Sequence, residues 1–142
     1  RALAALYYLL ALLGTIGTQV QLPAYLPYGF VLGTVTFWTD TLANPASVFL
    51  LVDIFVLASA VFIWMFGEAR RIQMRFIWLY IFGSLFIGVS IFVPLFLAQR
   101  ERRLQALAQG DDRPAGLDWL GIAFGLSLCL LVTAYSVWRA LP

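Results

Sequence analysis

An all-α polytopic membrane protein is the fold class that the sequence predicts, and three observations carry that prediction. Of its 142 residues 63% are hydrophobic and 11% charged, whereas soluble domains have roughly 45–50% apolar and 25% charged residues. Mean hydropathy is +0.92, so the chain lacks the polar surface to cover itself in water and a bilayer must solvate most of it. Four apolar runs, each close to the ~20 residues needed to cross hydrocarbon, alternate with charged stretches or stretches rich in proline and glycine. Residues 1–142 therefore read as one transmembrane helical unit without room for a second domain.

The first span covers about residues 2–18, with Arg1 before it and no charge within it. A single arginine makes a poor signal-peptide n-region and further spans follow, so this is expected to be a retained helix whose true N-terminus precedes residue 1. Residues 20–44 read as an interfacial segment. Pro23, Pro27, Gly29 and Gly33 interrupt any regular span, and Tyr25, Tyr28, Phe37 and Trp38 favour the headgroup boundary. A short helix over about 34–42 is expected there, dipping Phe37, Trp38 and Leu42 into the membrane and turning Asp40 to water.

Asn44 followed by Pro45 is a helix start. Asparagine caps orphan backbone donors, and proline at the first helical position forfeits no hydrogen bond. The second span runs over about 45–66, stopping at Gly67 before the charged stretch GEARRIQMR. The third span, about 76–98, contains Pro94, which kinks its last turn because the carbonyl four residues earlier loses its donor. Helix is expected to continue through RERRLQALAQ to a stop at Gly110, about 15 Å beyond the membrane at 1.5 Å per residue. After the turn DDRPAG, the fourth span covers about 118–138.

Four spans would bring both termini to one side, together with Arg1, Arg70, Arg71, Arg75, Arg139 and Glu68. Arg100, Arg102, Arg103 and Arg113 would face the other side with five acidic residues. Five arginines against four do not orient the chain by the positive-inside rule; the acids tilt the first side towards cytoplasm or stroma.

Absent residue types exclude several chemistries. The chain has no histidine and no lysine, and Cys129 is its single cysteine. A retinal Schiff base needs lysine, histidine-ligated haem or zinc needs imidazole, and a Ser-His-Asp triad needs its base. A net charge of +2, with the arginines gathered at span ends, does not point to nucleic acid. No acid and base pair is available, so the chain is not expected to be an enzyme.

Asp53 lies about two turns into the second span, where an ionised carboxylate costs roughly 2.5–3.5 kcal/mol. A proton relay, an ion site, a ligand to a cofactor's metal and a buried hydrogen bond that fixes helix register all remain open. Gly121, Gly125, Cys129 and Thr133 recur every four residues and form a small-residue ridge. Such a ridge suits close helix packing, within this bundle or against a partner. Ser84 and Gly88 offer a similar step. Trp38, Trp64, Trp78, Trp119 and Trp138 fall near span ends as aromatic belts do, and as flat faces they could also stack a carotenoid or porphyrin. Arg70 and Arg71, with Glu68, could anchor topology, bind a lipid phosphate or meet an acidic patch on a partner.

Residues Leu42 to Leu104 resemble the family of small multi-span membrane proteins catalogued as domain of unknown function twenty-eight thirty-four. The resemblance rests on the amphipathic stretch before Asn44, on Asp53, and on the Glu-x-Arg-Arg turn at Glu68, Arg70 and Arg71. The Gly-Val-Ser step at Gly88 to Ser90, Pro94 to Leu97, and Arg100 to Arg102 complete it. With the first span it covers about residues 5–107 and implies a three-span fold. Ala98 and Gln99 depart from the family's tyrosine-like position, and the helix after Gly110 is an addition. The resemblance implies no reaction.

Two functional readings follow. One is a non-catalytic accessory subunit of a larger membrane complex, set beside other integral subunits and structural lipids in a photosystem or light-harvesting assembly of the thylakoid. Chlorophyll there would need an oxygen ligand such as Asp53, Glu68, Asn44, Gln73, Gln99, a backbone carbonyl or water; carotenoid or lipid would need only aromatic-lined grooves such as those beside Trp64 and Trp78. The other is a small homo-oligomeric carrier or channel-like protein with Asp53 on a polar path between protomers.

Overall fold

A computed structural model describes residues 2–107 and 116–141, and every regular element within them is helical. Helix α1 (Ala2–Gln19) leads into a 3-10 segment (Leu22–Tyr28), followed by α2 (Gly29–Thr41) and α3 (Pro45–Arg71). Then come α4 (Ile77–Phe86), α5 (Val89–Ala106) and α6 (Gly116–Ala140). Three helical runs are long and apolar enough to cross a membrane: Ala2–Thr41, Pro45–Arg71 and Gly116–Ala140. The chain is thus an all-α membrane protein.

Local signals in the sequence account for the start of α3 and the first reversal. Asn44 caps α3 as expected, its Oδ1 accepting from the Ser47 amide at 3.0 Å, with Pro45 opening the helix. Gly29, at φ 74°, supplies the left-handed corner that turns α2 back along the 3-10 segment. Gly33 then lies so close that a Cβ there would come within 2.7 Å of the Tyr25 carbonyl. Tyr25 Oη donates to Asp40 at 3.1 Å across the same reversal. The helix expected over 34–42 is observed one turn earlier and longer, as Gly29–Thr41.

The third predicted span, 76–98, is not one helix. The amides of Ile87 and Gly88 both donate to the Gly83 carbonyl and end α4. Helix α5 then starts afresh from Gly88, whose carbonyl accepts from Ile91 and Phe92. The two helices fold back on each other. The Tyr80 and Phe96 rings lie 5.7 Å apart, although sixteen residues of continuous helix would separate them by about 24 Å. Gly83 permits the reversal, because a Cβ there would clash with the Phe92 ring. The core sits at the open end of this hairpin, where Met65 and Ala69 of α3 meet Ile81 and Phe96.

The hairpin changes the expected distribution of charge. Arg100, Arg102 and Arg103 return to the end of the molecule that carries Glu68, Arg70, Arg71 and Arg75: Arg100 Nε donates to Glu68 at 2.6 Å and Arg103 Nε to the Ile72 carbonyl at 3.3 Å. The division of arginines into five and four therefore does not hold. Nor do the start of α1 and the end of α6 lie at the same end of the described chain. Helix α1 runs antiparallel to α5, with Tyr8 beside Gln99 and Gln19 beside Ile87. It runs parallel to α6, with Gly17 beside Thr133 and Gln21 beside Ser136. Helix α5 continues past Ala98 to Ala106, as expected. Arg1, the stop at Gly110 and the turn DDRPAG lie outside the described residues.

Pro94 has its expected consequence in an unexpected place. Its ring leaves the Ser90 carbonyl without an intrahelical donor, and that carbonyl faces Gly14 of α1. A Cβ on Gly14 would overlap the Ser90 oxygen and lie 2.9 Å from its carbon. Missing donor and missing side chain together let α1 and α5 approach backbone to backbone.

Candidate functional site

At the charged end, Glu68 on the last turn of α3 is 8% exposed and accepts from two arginines. Arg71, three residues on, donates Nε and Nη2 to its two oxygens, each at 2.7 Å, in a bidentate pair. Arg100 donates Nε to Glu68 and Nη1 to Glu101, while its guanidinium stands 5.8 Å from the Trp64 ring centre. Trp64 in turn packs edge-on against the buried Phe96. Both Glu68 oxygens are engaged within the chain, and this cluster ties α3 to the hairpin. On the far side of α5, Tyr8 Oη accepts from Gln99 Nε2 at 3.2 Å and Arg102 Nη1 at 3.4 Å. Arg70 is exposed.

Towards the opposite end, α3 is bare. Asp53 is exposed and has no hydrogen bond or ion pair among the described residues. Its neighbours one turn away, Phe49, Leu50, Val56 and Leu57, are 60–71% exposed. Contacts with this half of the helix come from α2, including Trp38 against Phe55 at 6.2 Å. Helix α3 is about 40 Å long at 1.5 Å per residue, and the hairpin covers its charged half.

The oxygen donors named as ligands of a pigment metal are thus not equivalent. Glu68 is held by arginines, Asn44 caps α3 through Oδ1, and Gln99 lies against Tyr8. Gln73 is an exposed residue in left-handed backbone at φ 53° in the α3–α4 turn. Asp53 alone of these combines a span position with a carboxylate that no group in the described chain engages. No cluster of three or more metal-binding side chains occurs among the described residues. Trp78 belongs to an exposed aromatic row along α4, with Phe66 at 5.0 Å and Phe82 at 5.6 Å, and Phe82 lies 6.3 Å from Phe86.

The ridge on α6 divides. Thr133 meets Gly17 of α1, and Ser136 below it donates to the Gly17 carbonyl at 2.7 Å. Gly121 and Gly125 are exposed, and a Cβ on either would meet nothing. Cys129 is exposed beside a groove between α1 and α6. The Glu68–Arg100 pair and the Gly14–Ser90 approach escaped the sequence reading. Their signals were Pro94 and the complementary charge of GEARR and RERR, but both need the hairpin to become visible.

The model of the family described as Protein of unknown function DUF2834 matches residues 6–102. That stretch takes in α1 from Leu6 through α5 to Arg102 and leaves α6 outside. No curated protein and no solved structure matches the chain.

Proposed function

We propose that this chain, which belongs to the DUF2834 family, is a non-catalytic accessory subunit of a larger membrane complex, docked through the outer half of α3. One observation carries the reading: Asp53 stands exposed on an apolar helix with no partner in the described chain. A carboxylate facing hydrocarbon costs about 2.5–3.5 kcal/mol. Another integral subunit that presents an arginine, hydroxyl or amide to Asp53 removes that cost, and the exposed Phe49, Leu50, Val56 and Leu57 frame the contact with apolar surface.

The membrane arrangement that goes with this reading has α1, α3 and α6 crossing, and α4 and α5 entering and leaving by the same face. The 3-10 segment and α2 then lie at the opposite interface, with Asp40 towards water. A thylakoid photosystem or light-harvesting complex is one home for such a subunit. There Asp53 is the oxygen ligand open to chlorophyll, and the row from Trp78 to Phe86 is the surface for carotenoid. The same exposed Asp53 also fits a homo-oligomeric carrier in which the partner is a second copy.

Mild solubilisation of the native membrane followed by size separation tests the proposal. Wild type should migrate with larger subunits, whereas Asp53→Ala should be released while keeping its helical circular dichroism. Visible absorbance in the wild-type fraction supports the photosynthetic setting, and a colourless complex removes it. Migration of wild type as a small oligomer of itself favours the carrier, and co-migration untouched by Asp53→Ala overturns docking through α3.

A further inference from the structure

Helices α1 and α6 touch closely at one end and part at the other. Thr133 against Gly17 and Ser136 against Gln21 close the contact. Towards the charged end the helices leave an apolar groove of about 290 Å³ between Leu3, Leu6 and Tyr7 on one wall and Gly125, Leu126 and Cys129 on the other. Gly125 keeps its wall thin, since a Cβ there would point into open space. A second helix does not fit inside: two turns of a rod 10 Å across fill on the order of 800 Å³. An acyl chain is slimmer, and in a bilayer it is the apolar occupant at hand.

The end of the groove lined by Leu3 and Leu6 belongs to the half of α1 that runs beside the charged last turns of α5. Helix α1 places Tyr8, one residue from the groove-lining Tyr7, against Arg102 of α5. Arg102 is exposed and its one hydrogen bond among the described residues is the long one to Tyr8 Oη, at 3.4 Å, which leaves most of its five N–H donors for another acceptor. Around it the same end holds Arg70, Arg71, Arg75, Arg100 and Arg103 against Glu68, Glu101 and, in the first turn of α6, Asp118. Among the described residues, six arginines against three carboxylates give this end a positive balance.

We propose that the groove binds one acyl chain of an anionic phospholipid whose phosphate Arg102 holds at the membrane surface. The site lies on α1, α5 and α6, away from the outer half of α3, and stands whether or not docking at Asp53 does. Native mass spectrometry of the delipidated full chain, titrated with phosphatidylglycerol or with phosphatidylcholine of the same acyl chains, reads it directly. One arginine contact at a membrane surface corresponds to about fivefold, so wild type should retain one phosphatidylglycerol at about fivefold lower concentration than phosphatidylcholine. Arg102→Gln should erase that preference, and Gly125→Leu, which fills the groove, should weaken retention of both lipids. Asp53→Ala should change neither. Equal retention of the two lipids by wild type, or a preference that survives Arg102→Gln, overturns the site. Unchanged retention by Gly125→Leu in a chain with wild-type circular dichroism overturns the groove as its seat.

Discussion

Gly14 and Gly125 are both glycines in apolar helices, and only their surroundings tell them apart. A methyl group on Gly14 would press on the Ser90 carbonyl, which is backbone and cannot swing away, whereas one on Gly125 would enter open space. Gly14→Ala is therefore expected to destabilise the chain by about 1–3 kcal/mol, the range for overpacking a close contact. Gly125→Ala should stay within about 0.5 kcal/mol of wild type. Thermal unfolding in detergent, followed by circular dichroism, compares the two. The sequence showed that Pro94 would free the Ser90 carbonyl, since proline lacks the amide. It could not show where the carbonyl would point, because that depends on a helix 76 residues earlier in the chain. Asp53 was legible as an anomaly for the same local reason, a charge among apolar neighbours, while its lack of a partner required every other element to be in place.

At the scale of elements, the start of α3 was legible and the break within residues 76–98 was not. Asn44 and Pro45 mark the start of α3 by their own chemistry, and the structure has them capping it. Residues 76–98 have the length and composition of a single span, and an apolar count cannot separate one long helix from two that double back. What divides them is tertiary: Gly83 accommodates the Phe92 ring, and Arg100 reaches Glu68. A double-mutant cycle tests this pairing. With Glu68 and Arg100 in contact, Glu68→Gln and Arg100→Gln should be non-additive by about 1–3 kcal/mol in unfolding free energy, as for residues in one network. Groups on opposite faces of a bilayer, about 30 Å apart, would give additive effects instead.

Over the whole molecule, the hairpin settles which charges sit together. Six described arginines, Arg70, Arg71, Arg75, Arg100, Arg102 and Arg103, gather at one end, and Arg139 ends α6 at the other. The positive-inside rule then predicts that the six-arginine end stays on the side of the membrane from which the chain inserts. Single cysteines introduced at Arg75 and Leu107, with Cys129→Ser to remove the native thiol, should react with a membrane-impermeant maleimide from that same face. One at Leu42 should react from the opposite face. Labelling of Arg75→Cys and Leu107→Cys from opposite faces would restore a continuous third span. The arrangement also bears on biogenesis. A continuous third span would require Arg100, Arg102 and Arg103 to be translocated, against the bias that retains arginines flanking a span on the side from which it inserts. In the proposed arrangement, in which α4 and α5 dip in and return, all three stay on the side where the ribosome releases them, and of the described arginines only Arg139 has to be translocated.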